Sequence, residues 1–434
     1  MRRTLPALAG AAALALTLTA CGGGDSKSSA ETPKNSSESS VDPASLKAEL
    51  TWWDTSDPAN EGPVYDELIK KFNEEYPNVK IDHQMVPFGE AQSKFKTAAQ
   101  SGSGAPDILR AEVAWTPEFA SLGYLYALDG TPLLEDNDFL ESPLSSNVFD
   151  GKTYGVPQVT DTLGLMYNKK LLDEAGVEVP TTWDELKEVA PTIKQKTGAD
   201  AIALGSGGYY LLPFIYGEDG DLVDTDAKKI TVNSDANVKG MQTAQDLVKS
   251  GASVKPVAND ADATIQTLFQ EGKVAMMING PWTVSAVEGS PDFGGLDNLG
   301  VAPVPAGSAG QGAPVGGHNY VIYSGMSDDK AEAAIAFVKF MSSAESQAYT
   351  ADKLGTLPTR DSAYDEVSNE KVSMWQDAMN VAHARPWIPE GGLFFTPLDV
   401  MGTEIMVQGQ DPKKALDKAA DTFKSDVVPD YSQE

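Results

Sequence analysis

From Leu50 onward, short apolar runs alternate with amphipathic segments, and this order constrains the chain more than any other feature, because alternating strands and helices build a sheet covered by helices. Leu50 and Trp52 open a strand, Val64, Leu68 and Phe72 fall on one face of a helix, and Val79, Ile81 and Met85 alternate as a second strand. Phe95 and Ala98 lie on the next helix, which Gly102, Gly104 and Pro106 end ahead of a strand at Asp107-Ile108-Leu109. The pattern resumes with a strand at 163–167, a capping box at Thr182-Trp183-Asp184-Glu185, and buried strands at 201–204 and 274–278. Ile265, Leu268 and Phe269 mark a helix stopped at Gly272. Ser327 caps a helix carrying Ala334, Phe337, Val338 and Met341, and Asp411-Pro412 starts a last one with Leu416, Ala419, Ala420 and Phe423 on one side. The fold class is therefore α/β, with a parallel or mixed sheet and no repeat of fixed period.

The totals remove several functions. With 33 Lys+Arg against 63 Asp+Glu, a formal net charge of −30 and no basic stripe, the chain repels a nucleic-acid backbone. One cysteine, Cys21, excludes an internal disulfide, and with only His83, His318 and His383 besides there is no ligand set at zinc spacing. The 434 residues suggest two or three domains at ~150 residues each.

The chain starts Met1-Arg2-Arg3 and continues into an uncharged apolar run through Ala20, the order of an export signal, too short for a membrane span of ~20 apolar residues. Residues 22–47 hold no aromatic and almost no aliphatic side chain, so they read as a flexible tether.

Catalytic motifs are scarce. The Gly-rich stretches at 205–208 and 307–317 lack a following Gly-Lys-Ser/Thr and read as turns, and Ala306 stands where a nucleophile elbow needs glycine. No G-x-G-x-x-G follows the first strand. Acidic residues are so abundant that a glycosidase pair stays open from composition alone. The informative class is aromatic, since a sugar presents C–H faces to flat rings and hydroxyls to charged or amide groups. Trp183 and Trp375 fall in predicted helices and read as core. Trp52, Trp53, Trp115, Trp282 and Trp387 sit near strand ends or in loops beside polar residues, where core and platform are both open.

Several segments together resemble one family. Leu18-Thr19-Ala20-Cys21 resembles a bacterial lipobox, in which the cysteine carries the lipid. Tyr167-Asn168-Lys169-Lys170-Leu171-Leu172, the Pro180-Thr181-Thr182-Trp183-Asp184-Glu185-Leu186 that follows, and Gly272-Lys273-Val274-Ala275-Met276-Met277-Ile278-Asn279-Gly280-Pro281-Trp282 are similar to blocks of bacterial extracellular solute-binding proteins of the maltose-binding type, family 1. Pro106-Asp107-Ile108, Tyr154-Gly155-Val156-Pro157 and Leu357-Pro358-Thr359-Arg360 occur in the family's order, and the likeness spans residues 48–427.

The resemblance implies a two-lobed, periplasmic-binding-protein-like fold (type II), each lobe a mixed sheet flanked by helices, with a ligand cleft between them. It implies a signal peptide over 1–20, a lipidated Cys21 and tether over 21–47, a first lobe from 48–160 plus about 283–340, and a second from about 161–282 plus about 341–427. The function implied is a membrane-anchored receptor, not an enzyme, that binds maltose, maltodextrin or another α-glucoside and delivers it to the permease subunits of an ABC importer. No cofactor or metal is implied, the protein is expected to be a monomer, and its place is the outer face of the cell membrane of a Gram-positive cell. Carried over position by position, the ligand contacts fall on Trp53, Ser56, Asp57, Glu61, Glu112, Trp115, Asp161, Tyr209, Trp282, Asn319, Arg360, Glu390 and Phe395. The alternatives are a secreted glycoside hydrolase and the same fold holding a non-sugar solute.

Overall fold

The computed structural model describes residues 42–433 apart from 136, 137, 259 and 260, so the export signal, Cys21 and most of the tether lie outside the described residues. Two five-stranded mixed sheets organise the chain. The first runs, in spatial order, Val79–Met85, Ala48–Asp54, Ile108–Glu112, Gly316–Ile322 and Gly155–Asp161; its first three strands are parallel and Gly316–Ile322 is antiparallel to both neighbours. The second runs Ser253–Val254, Asp200–Ala203, Val274–Asn279, Gly164–Asn168 and Leu299–Ala302, parallel through the first three and antiparallel thereafter.

Helices cover both faces of these sheets, so the central strands are buried along nearly their whole length, as Val274–Asn279 and Gly316–Ile322 are. Trp52, Tyr65, Phe72, Tyr320 and Phe337 fill one side of the first sheet, and Phe95, Leu109 and Phe119 the other. In the second lobe Trp183 stacks on Phe214 at 4.1 Å, and Trp375 is fully buried beside Met166 and Leu299. Both tryptophans are core; Trp183 begins a helix as expected, whereas Trp375 lies in the turn between Glu370–Ser373 and Gln376–Met379. Trp52, for which a ligand role was open, is core too: it is fully buried and stacked on His83 at 4.5 Å.

Local signals hold with differences of detail. The Thr182 hydroxyl accepts from the Glu185 amide at 3.1 Å, but the Glu185 carboxylate turns to the amide and hydroxyl of Thr181, both 2.7 Å away. Asp411 caps its helix by accepting from the Lys414 amide at 3.1 Å. Ser327 stands at the N-cap position with its hydroxyl unused there, and Asp328 and Asp329 supply the first-turn negative charge instead.

The chain passes between the sheets at Thr162 and Leu163, and returns between Ala302 and Gly316. The return expected near residue 283 therefore comes later: Leu299–Ala302 pairs with Gly164–Asn168 and belongs to the second sheet. The glycines of 307–317 do more than turn. Gly317 has φ +130° and a Cβ there would lie 2.2 Å from the Val159 carbonyl oxygen, so only glycine lets the returning strand seat against the first sheet.

Candidate functional site

At the junction of the sheets the strand registers bring Gly316 opposite Asp161 and His318 opposite Glu112. The helix Gly208–Tyr216, from the second lobe, places the Tyr209 hydroxyl 3.2 Å from Asp161 Oδ1, to which it donates. That approach requires a glycine at 316, because a Cβ there would meet Asp161 Oδ1 at 2.1 Å and Tyr209 Oη at 2.5 Å. Asp399 accepts from the Gly208 amide at 2.7 Å, a carboxylate on the positive end of the same helix.

Arg385 joins the two lobes electrostatically. Its Nε donates to the Val315 carbonyl at 2.9 Å and its guanidinium pairs with the Glu112 carboxylate, whose other oxygen accepts from the Ala114 amide at 2.9 Å. The guanidinium lies 5.6, 5.5 and 5.3 Å from the ring centroids of Tyr209, Trp387 and Phe395. Tyr209 and Phe395 are 6.1 Å apart. A first-lobe carboxylate, a junction guanidinium and two second-lobe rings thus face one another.

Burial pushes the Asp161 carboxyl up to about 7; Arg385 opposes the shift, nearby Glu112 adds to it, and the Tyr209 hydrogen bond opposes it. Burial, with the Asp161 charge adding to it, holds the Tyr209 phenol well above its ordinary value, so it is a hydrogen donor at physiological pH. Such a set offers rings for C–H faces and donors and acceptors for hydroxyls.

A second aromatic group lies on the first lobe. Trp115, expected near a strand end or in a loop, begins the helix Trp115–Ser121, is 5% exposed and stacks under Phe88 at 5.1 Å, leaving Phe88 48% exposed. Trp282 follows the strand Val274–Asn279; its indole lies over Gly280 and packs on the second-lobe core.

Other expected contacts are engaged within the chain. Ser56 donates through its amide and hydroxyl to Asp54, Asp57 accepts from the amides of Ala59 and Asn60, and Glu61 accepts from the Asp57 amide at 2.8 Å. Buried Arg110, 3.6 Å from Glu61 and 2.6 Å from Gln158 Oε1, ties this loop to the strand below. Trp53 donates to Gln84 Oε1 at 3.1 Å. These four residues are hydrogen-bonded within or beside the 53–61 segment, Ser56 and Glu61 buried and Asp57 exposed. Asn319, an expected contact, is fully buried, donating to Thr116 and Ser146 and accepting from Asn147. Arg360 is likewise engaged: it donates to the Ser342 carbonyl at 2.6 Å, pairs with Asp138 and covers the Phe139 ring at 3.8 Å. Glu390 precedes a short helical turn and accepts from the Leu393 amide through its carbonyl.

Of the expected set, the structure gathers Glu112, Asp161, Tyr209 and Phe395 at the junction and places Trp115 with the first-lobe rings. Sequence reading missed Arg385, Phe88 and His318. Arginine two residues before Trp387 was a signal for the first; nothing local marks the others. A separate groove of about 730 Å³ over residues such as Tyr364, Asn369 and Trp375 holds none of this set.

A family model described as bacterial extracellular solute-binding protein matches residues 67–380. The chain is similar to the GacH receptor of Streptomyces glaucescens, solved unliganded and with acarbose, at 46% identity and TM-score 0.85 over 89% of this chain and 100% of that one. Maltose-bound MalE3 of Thermotoga maritima superposes with TM-score 0.78 at 26% identity, covering 87% and 99%. The diacetylchitobiose-binding protein DasA of Streptomyces coelicolor is 27% identical over 98% of both chains.

Proposed function

We propose that this chain, which belongs to the bacterial extracellular solute-binding protein family, captures an α-glucoside such as maltose or a maltodextrin between its lobes and presents it to an ABC permease. The family's members bind and deliver solutes and are not enzymes, so the hydrolase alternative falls away. The observation that carries the reading is the junction cluster, in which Glu112 and Arg385 face Tyr209 and Phe395 across the lobes. In this reading a pyranose lies on the two rings, Arg385 donates to its hydroxyls, and Glu112 and Asp161 accept from them. Trp282 extends the platform on the second lobe. The α-glucoside preference is supported by the sugars bound to the two structural relatives. Hinge closure about the 162–163 and 303–315 crossings buries the solute and forms the surface a permease reads.

Titrating the purified protein with maltose and maltotriose in a calorimeter is expected to give saturable heat with quenched tryptophan fluorescence. Trp282→Ala is expected to weaken binding by about 2 kcal/mol, some 30-fold. No heat and no quench across a broad oligosaccharide panel sinks the sugar reading.

The anchoring step of the proposal rests on Cys21 behind its apolar run. Cys21→Ser is expected to abolish incorporation of radiolabelled fatty acid and to move the protein from the membrane fraction to the medium. Unchanged membrane retention speaks against a lipid on this residue.

A further inference from the structure

His318 stands out among the histidines because both of its ring nitrogens are shut off from solvent and hydrogen-bonded to nothing. His83, by contrast, holds Asp66 at 2.8 Å through Nδ1 and Asp54 at 3.0 Å through Nε2. Buried polar atoms without partners are uncommon, and each calls for a group that completes it. Burial, with the nearby Arg110 and Arg385 charges, keeps the imidazole neutral, so it offers one N–H donor and one bare acceptor. A sugar hydroxyl can complete either one, accepting from the N–H or donating to the bare nitrogen.

Its position supports a ligand-facing role. The register of Gly316–Ile322 shifts between His318 and Asn319, a bulge that separates the fully bonded Asn319 from its neighbour, and His318 lies opposite Glu112 of the junction cluster. The Phe88 ring meets it edge-on at 5.9 Å, backed by Trp115 and 48% exposed. Resting on the sugar-receptor reading above, we propose that Phe88 and His318 form a first-lobe pyranose subsite, Phe88 carrying the C–H face and the neutral imidazole bonding a ring hydroxyl through one of its two nitrogens.

Calorimetry with maltotriose and its monodeoxy derivatives tests this. His318→Phe is expected to weaken maltotriose binding at least about tenfold, while His318→Gln, which keeps a donor and an acceptor, stays within about threefold. Phe88→Ala, a change at an exposed ring, is expected to cost about tenfold with an unaltered unfolding midpoint. The decisive reading is a cycle: one monodeoxy sugar binds wild type about as weakly as it binds His318→Phe, an equality a purely structural histidine does not produce. If both His318→Phe and Phe88→Ala bind every sugar as wild type does, the subsite is overturned and the receptor reading stands. If wild type itself binds no sugar, both fall together.

Discussion

Arg385→Leu is expected to lower stability by about 3–5 kcal/mol and to abolish ligand binding. The guanidinium is 5% exposed and is the charge partner of Glu112, itself 14% exposed, so leucine strands a buried carboxylate, the most expensive way to break such a pair. It also removes the donor to the Val315 carbonyl and the cation facing Tyr209, Trp387 and Phe395. Asp161 loses the positive charge that opposes its upward shift, so its carboxyl is driven further toward the neutral form. A shift of the urea midpoint at unchanged slope measures the stability loss. The double variant Arg385→Leu, Glu112→Leu is expected to recover much of the stability and none of the binding, since it removes both charges together. A single variant as stable as wild type would show that water, rather than Arg385, satisfies Glu112.

Which parts of this molecule could be read from the sequence follows from the range of the forces involved. The strand at 274–278 and the helix carrying Phe337 and Met341 depend on residues a few positions apart, and so does the Thr182 cap. The Arg385–Glu112 pair joins residues 273 positions apart and the Asn319–Thr116 bond joins residues 203 apart, distances over which spacing carries no information. Resemblance supplied Glu112, Asp161, Tyr209 and Phe395, whose backbone positions the fold fixes. At Asn319 and Arg360 the same positions are engaged within the first lobe. In the 53–61 segment the carboxylates of Asp57 and Glu61 accept from their own loop's amides, and Glu61 also faces Arg110.

Asp161→Asn is expected to stabilise the ligand-free protein at pH 8 by on the order of 4 kcal/mol, and by almost nothing at pH 3.5. The carboxyl titrates near 3.8 when the chain is unfolded and at about 7 in the folded state, because burial at the junction disfavours its charge. A raised folded value means that the folded chain holds the proton more tightly. The stability this provides is fully present below pH 3.8 and is lost as pH rises through 7, at about 1.4 kcal/mol per unit between the two values. Asparagine carries no charge at any pH and keeps an oxygen to accept from Tyr209, so it escapes the penalty while preserving the 3.2 Å contact. Urea midpoints of both proteins from pH 3.5 to 8.5 should diverge from about pH 4 and run parallel above 7. Binding should go the other way: an amide is a weaker acceptor than a carboxylate, so a receptor that uses Asp161 to hold a sugar hydroxyl loses about 1–2 kcal/mol of affinity on the same substitution. A variant more stable yet weaker in binding is the signature of a buried acid retained for the ligand. Equal stability across the pH range would mean that Asp161 is ionised and satisfied in the folded chain, and would remove it from the acceptors assigned to the solute.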